Sequence, residues 1–362
     1  MLYVAERKLA SIQRITELVN IPNADSIVCA TVLGWHVVVK KDEFKVGDLV
    51  VYFEVDSLLP IIPEFEFLAK YGISKSYIGN NEYAGYRLRT AKLRGQVSQG
   101  LCLPLSILSG KIYESDTREN PHYVFSEGQD VSSLLGVVKY EPSLPANLSG
   151  VAKSVFPEYI PKTDEPRLQA FPQIIERYKG VKFYTTEKVD GASCTIFIDS
   201  GGKLNVCSRT LNLLESDKNT YWKTAKELDL ENKLKNNGAT NIALQGELIG
   251  SNIQGNKLGL SGHTILFFNA YDMAAEKYLD FEDFMALCEK LKLETVPILD
   301  ENYSLPDTVD GVVEYATRKS TIADIWAEGV VFRPLVEIYD EDLGRLSFKC
   351  INPEFLLKYK DD

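Results

Sequence analysis

No stretch of the chain approaches 18 consecutive apolar residues, so a helical membrane span is not expected. The first residues, Met1-Leu2-Tyr3-Val4-Ala5-Glu6-Arg7, lack the basic-then-apolar order of a secretory signal. No two of the six cysteines, at 29, 102, 194, 207, 288 and 350, have C-x-x-C spacing. That excludes the usual zinc motifs and a dense disulfide framework, and points to buried reduced thiols in a cytoplasmic or nuclear protein. Internal repeats and low-complexity tracts are missing too. An excess of positive charge is also lacking. The net charge of -11 argues against a protein that coats nucleic acid without specificity. It leaves room for a local basic track.

What is present is ordinary globular composition over 362 residues, 45% hydrophobic and 25% charged, enough for two domains. The first part reads as β-rich. Ile27 to Val39 is rich in β-branched residues, broken at Gly34-Trp35. Val46-Gly47-Asp48 is a turn, and Leu49 to Val55 and Tyr86 to Leu93 alternate. Short strands between turns predict a small barrel over residues 1–135, with residues 61–85 inserted between barrel strands. Prolines 121, 142, 145, 157, 161 and 166 punctuate a looser stretch, and residues 136–165 are expected as a linker. Residues 166–362 read as α+β. Strands are expected up to Lys188, at 194–198 and 204–208 around Asp199-Ser200-Gly201-Gly202, and at 242–248, 264–271, 329–332 and 346–351. Helical spacing covers 220–235, 281–291 and 308–315.

The basic track is Arg87, Arg89, Lys92 and Arg94, which one strand would show on one face, with Lys40 and Lys41 beside it. Trp35 and Tyr86 are candidate stacking groups, and a core position is the equal alternative for Trp35.

The chemistry-bearing string is Glu187-Lys188-Val189-Asp190-Gly191. A lysine at a strand end before a glycine turn points into a cleft, and burial or a nearby cation lowers its pKa and frees its lone pair. Alone, K-x-D-G is better read as a surface turn. Further strings follow in order: Ser208-Arg209, Gln245-Gly246-Glu247, Phe267-Phe268-Asn269-Ala270-Tyr271-Asp272, Glu328-Gly329-Val330-Val331 and Phe348-Lys349. Each has a bland reading as strand-end charge or core aromatic. Their ordered recurrence does not.

This series resembles the motifs of the covalent lysyl-nucleotide superfamily of DNA ligases, RNA ligases and mRNA capping enzymes. Phe348-Lys349-Cys350-Ile351-Asn352, Phe268 to Asp272 and Lys162-Thr163-Asp164-Glu165-Pro166-Arg167 resemble the RNA ligase branch. Only 13 residues follow Lys349, and the candidate barrel comes first. That order is similar to the RNA ligases known from Deinococcus and Naegleria, an oligonucleotide-binding (OB) barrel followed by a minimal nucleotidyltransferase domain.

The resemblance implies an ATP-dependent RNA ligase that joins 3′-hydroxyl and 5′-phosphate RNA ends, at nicks in duplexes, in repair of broken RNA. Lys188 would be the nucleophile, and Lys349 would reach the α-phosphate. Phe268 would stack on adenine, and Glu187 would accept from its amino group. Arg167 and Arg209 would contact ribose and phosphate, and Val189, Gly191, Glu247 and Val330 would complete the nucleotide site. Asp190, Glu247 and Glu328 would hold Mg²⁺ or Mn²⁺. Lys40, Lys41, Arg87, Arg89, Lys92 and Arg94 would meet RNA or an RNA-containing duplex. A monomer without membrane contact is expected. The second lysine common near the end of this series is replaced by Ile351, with Lys358 the candidate substitute.

Overall fold

The computed structural model describes residues 7–78, 81–109, 125–141 and 152–359. They form two units, one built mainly from residues up to 141, the other from 152–168 and 173–358.

The first unit rests on the long strand Ala10–Asn20. A register shift between Ile15 and Glu17 lets one strand serve two partners. Its first half pairs with Leu49–Phe53, from Ala10 opposite Phe53 to Arg14 opposite Leu49. Its second half pairs with Ile27–Val32. The full order is 101–104, 49–53, 10–20, 27–32, 35–40, antiparallel throughout. The Val38 N–H donates to Ser98 Oγ at 3.0 Å and the Gln99 N–H to the His36 carbonyl at 2.8 Å, which curls the last strand toward residues 98–99. The sheet is thus a half-barrel of OB type.

Trp35 is fully buried, packed with Val37, Val50 and Tyr52, and Tyr86 is buried with Val51, Leu59 and Phe65. Neither is open to stack on a base. Residues 61–85 are more than an insertion. A 3-10 helix, Pro63–Tyr71, sends Phe65 and Leu68 into the core, with Phe65 edge-on to Phe53 at 5.5 Å. Ser74–Ile78 and Asn81–Arg87 pair as a hairpin in a second sheet with Ser57–Pro60.

The expected strand from Tyr86 to Leu93 is two strands. Asn81–Arg87 ends where the Leu88 N–H bonds to the Ser57 carbonyl, and Ala91–Leu93 pairs with Gln96–Ser98 in a separate ribbon around left-handed Arg94.

The second unit holds two antiparallel sheets. The seven-stranded one runs in the order 152–155, 211–213, 204–207, 192–198, 242–250, 263–272, 277–278. The four-stranded one is Ile298–Ser304, Lys182–Lys188, Gly329–Pro334, Phe348–Ile351. The helical span 220–235 is broken into Thr220–Glu227 and Leu230–Asn236 by Asp229, which adopts a left-handed conformation (φ 54°). Asn219 caps the first helix, accepting from the Tyr221 and Trp222 N–H groups at 3.0 and 3.3 Å. The break lets Leu230 and Leu234 join Trp222 and Ala225 in one core.

Residues expected as linker are drawn into the two units. Val138–Lys139 pairs with Ser57–Leu58, and Ala152–Val155 pairs with Leu211–Leu213. Phe156 and Ile160 are buried against Phe197, Cys207 and Tyr271. The stretches 110–124 and 142–151, with Pro121, Pro142 and Pro145, lie outside the described residues. All six cysteines are buried free thiols. No described helix is long and apolar enough to cross a membrane.

Candidate active site

Alternation along the four-stranded sheet sorts the site residues. Thr186 is opposite Val331, which is opposite Lys349, and Lys188 is opposite Gly329. Lys188, Thr186, Val331, Lys349 and Arg333 therefore share one face. Glu187, Val330 and Cys350, also in register, share the other with Phe183, Phe332 and Phe348. That second face is aromatic core: the Phe332 and Phe348 rings stack at 5.2 Å.

Two close approaches require glycine. A Cβ on Gly191 would lie 2.6 Å from the Leu248 carbonyl and 2.7 Å from Glu247 Cγ. One on Gly329 would lie 2.2 Å from the Cys350 carbonyl. These glycines let the strands carrying Glu247 and Lys349 close onto the turn after Lys188 and the strand after Glu328. Gly191 thus acts through packing.

Lys188 Nζ donates to Glu328 Oε2 at 2.6 Å. Burial alone would lower the lysine's pKa, but the carboxylates of Glu328, Glu247 and Asp190 outweigh it and the net direction is up. The expectation of a lowered pKa is thus reversed in the nucleotide-free protein, because burial is opposed by three nearby acids. Lys349 goes the other way. Burial, helped by repulsion from Lys188 and Arg167, lowers it to about 8, even though Asp164 and Glu165 pull upward.

Glu247 is pushed up to about 8, first by burial and then by Glu328 and Asp190, against the pull of Lys188. Below that pH the folded protein keeps a proton that the unfolded chain releases near the ordinary value of 4.5. Stability from this group is therefore fully present below about 4.5 and is lost as pH rises to about 8. In metal-free protein, Glu247→Gln is expected to melt higher than wild type at pH 8, by on the order of 1 kcal/mol or ~2–4 °C, and equally at pH 4.5. Thermal melts at the two pH values check this. An advantage that does not grow with pH contradicts it.

The structure adds a lysine that the sequence reading missed. Lys257, from the Asn- and Gly-rich turn between strands 242–250 and 263–272, donates to Asp190 Oδ2 at 2.7 Å. Lys358, the expected substitute for Ile351, lies exposed at the end of the helix Pro353–Lys358, and Ile351 is buried.

Phe268 is half-buried on a register shift between strands 242–250 and 263–272. Alternation puts its ring with Leu266 on the face of Val189 and Ile249, away from the core that holds Phe267. The guanidinium of Arg333 stands 5.5 Å from that ring. Arg333 is only 2% exposed and donates to Glu165 Oε1 at 2.7 Å. Burial would raise the Glu165 carboxyl, but Arg333 outweighs it and holds it below the usual range. Arg333 and Glu165 went unnoticed as site residues. The alternation Val331, Arg333 was the available signal.

The segment before the second unit's first sheet is stitched to Lys349. The Lys349 N–H donates to the Pro166 carbonyl at 2.9 Å, and Arg167 bridges Lys349 in parallel. Arg209 pairs with Asp164 at 2.6 Å, both half-exposed.

Other expectations change. Val330 is fully buried on the aromatic face, and Val189 is buried with Ile249 and Val296. Their side chains do not line an open site. Glu187 is 3% exposed and also on the far face. In the first unit, Lys40, Lys41, Arg89, Lys92 and Arg94 are exposed. Arg87 is not part of that surface: it donates to Asp56 at 2.9 Å and lies 4.0 Å from the Tyr140 ring centroid.

For a divalent cation the donors fit in kind. Asp190, Glu247 and Glu328 offer hard oxygens, and Glu247 feels the other two acids as like charge. They are not yet gathered: among the described residues no three such side chains could hold a metal ion as placed. Lysines occupy Asp190 and Glu328 instead.

An OB-fold domain model matches residues 9–105, and an RNA ligase model matches residues 181–351. No curated protein matches. Among solved structures, a mutant of Naegleria gruberi RNA ligase with AMP and Mn is 35% identical. That match covers 98% of this chain and 100% of the other, with a TM-score of 0.85. Another mutant of that ligase, with ATP and Mn, gives the same values. The form with PPi is 36% identical over 99% and 100% of the two chains, with a TM-score of 0.84.

Proposed function

Because the chain belongs to the RNA ligase family, we propose that it seals 3′-hydroxyl and 5′-phosphate ends at nicks in RNA-containing duplexes, with Lys188 carrying AMP from ATP. ATP and Mn²⁺ or Mg²⁺ are the cofactors, in keeping with the ATP, AMP and Mn of the Naegleria structures. The observation that carries this reading is the Lys188–Glu328 pair at 2.6 Å, with the carboxylates of Glu247 and Asp190 acting on the same ammonium and Lys349 on the same sheet face.

Lys188, having lost its proton, forms an Nζ–P bond to the α-phosphorus, and the bond to the β-phosphate oxygen breaks as pyrophosphate leaves. A 5′-phosphate oxygen then takes the adenylyl group and the Nζ–P bond breaks. Finally the 3′-hydroxyl loses its proton and attacks the 5′-phosphorus, releasing AMP. Splitting the condensation replaces a poor leaving group with a good one.

Lys349, a half-buried cation with its pKa lowered to about 8, favours a phosphate beside it. Phe268, backed by Arg333, offers a face for adenine. Arg167 and Arg209 suit ribose and phosphate contacts. A divalent cation held by Asp190, Glu247 and Glu328 would supply positive charge that opposes a protonated lysine and offsets charge on the phosphates. The exposed Lys40, Lys41, Arg89, Lys92 and Arg94 are proposed to meet the RNA backbone.

The test is to charge the protein with α-labelled ATP and Mn²⁺, then offer a nicked duplex with RNA at the 3′-hydroxyl side and the same strands unpaired. Label on the protein and sealing at least ~10-fold faster at the nick are expected, about 1.4 kcal/mol. No adduct overturns the enzyme reading. Equal or faster joining of single strands overturns the nick preference.

A further inference from the structure

Glu187 stands next to the nucleophile, and the family resemblance gives its carboxylate to the adenine amino group. The geometry points to another role. We infer that Glu187 is a positioning residue that fastens the loop 318–327, and that selectivity for ATP over GTP does not come from its carboxylate. The inference rests on the reading of Lys188 as the adenylylated residue.

Three observations carry it. Register places Glu187 opposite Val330 and puts both side chains on the face away from Lys188 and Lys349. The carboxylate is already engaged: Ser320 Oγ donates to Oε1, and the Thr321 N–H and Oγ1 donate to Oε2, both at 2.8 Å. A carboxylate has about four acceptor sites, so three are taken by one loop. The loop is also closed at its neck. The Asn352 side chain, fully buried, donates to the Arg318 and Ala327 carbonyls at 3.2 and 3.0 Å, and the Ala327 N–H donates to the Arg318 carbonyl at 3.0 Å.

The fastened loop reaches the chemistry by two routes. Ile322, next to the tether, packs in the cluster that holds Val189, Leu266 and Phe268. Glu328, the residue that follows the neck, accepts from Lys188, and its carbonyl accepts from the Asn352 N–H at 2.9 Å. Glu187 therefore sets the apolar wall beside Phe268 and the placement of Glu328. Neither consequence distinguishes adenine from guanine.

The experiment measures KM and kcat for lysyl-nucleotide formation with ATP and with GTP. It uses wild type, Glu187→Ala, Glu187→Gln and the double variant Ser320→Ala/Thr321→Val. Glu187→Ala is expected to raise KM for ATP roughly 10-fold, a loss of uniform binding, and to leave the ATP:GTP ratio of kcat/KM within about twofold of wild type. The Ser320/Thr321 variant, which leaves the carboxylate intact, is expected to reproduce the rise in KM. Glu187→Gln is expected to recover most of it, because the amide oxygen still accepts from Thr321 and the amide N–H donates to Ser320 Oγ.

A fall in the ATP:GTP ratio of ~10-fold or more in Glu187→Ala would overturn the inference. So would a gain of GTP use in Glu187→Gln, or an unchanged KM in the Ser320/Thr321 variant. If Glu187→Ala does not fold, the other two variants decide. Absence of any adduct in wild type would sink the proposed function itself, a distinct result.

Discussion

Lys188→Ala is expected to lose the covalent AMP adduct and to lower sealing of 5′-phosphate ends by at least ~10⁴-fold, about 5.4 kcal/mol of barrier. Lys188→Arg is expected to do no better, since a guanidinium stays protonated and is no nucleophile. The other two lysines of the site do not replace it. Lys257 is held on Asp190, and Lys349 sits two strands across the sheet.

Removing the lysine also leaves Glu328 without its ion-pair partner, so the variant is expected to melt lower, by about 1–3 kcal/mol. Loss of activity alone would then be ambiguous. Joining of RNA already carrying AMP on its 5′-phosphate removes the ambiguity, because that step needs no free lysine nucleophile. Lys188→Ala is expected to keep that activity within about 10-fold of wild type. Loss of both activities would assign Lys188 a structural role.

Lys349→Met is the second large effect expected. The ammonium stands on the same sheet face as Lys188, and burial and like charge already lower its pKa to about 8. It is a cation whose favourable partner is the incoming phosphate. Deleting it is expected to cost AMP transfer ~10²–10³-fold, about 3–4 kcal/mol, because charge on the α-phosphate goes unopposed as the bond to pyrophosphate breaks.

Stability is expected to move the other way. A half-buried lysine with a lowered pKa destabilises the fold while charged, so Lys349→Met is expected to melt at or above wild type near pH 7. In the wild type the stability penalty is relieved as pH rises through about 8, since the unfolded chain there holds the proton that the fold has released. Lys349→Arg keeps its charge at that pH. Its kcat/KM is expected to lack any fall that wild type shows above about 8, because that profile reports the free enzyme. Thermal melts and pH profiles of the variants provide the check. A Lys349→Met protein that transfers AMP at the wild-type rate would remove Lys349 from the site.

Part of the catalytic face was legible in the sequence because Lys188 ends one strand and Glu328 precedes another, and strand ends carry strong local signals. Lys188 before Asp190-Gly191 and Glu328 before Gly329 are read this way, and the structure brings the two into contact, whereas Glu247 lies inside a strand that runs on to Gly250. The glycines were part of that legibility: their clash distances explain why only glycine lets the neighbouring strands close in.

The misplacements have physical causes. Trp35 and Arg87 have types that favour surfaces binding nucleic acid, but type does not report burial. Trp35 is core, and Arg87 is committed to Asp56 and Tyr140. Motif position assigns Glu187 and Val330 to the nucleotide, whereas period-2 alternation puts their side chains on the face opposite to those of Lys188 and Lys349. Lys257 lies in a turn with left-handed Asn252, Gln254 and Asn256, where no periodicity indicates which way a side chain points. The linker estimate failed at 152–160 because an edge strand and two buried side chains there contact partners distant in sequence.

The most direct test of the central claim is to locate the adduct. The protein is incubated with ATP and Mn²⁺, digested, and the adenylylated peptide is sequenced by mass spectrometry under conditions that preserve a phosphoramidate. One adenylyl group on Lys188, absent from Lys188→Ala, is the predicted result. An adduct on Lys257, Lys349 or any other residue, or none in wild type, would contradict it.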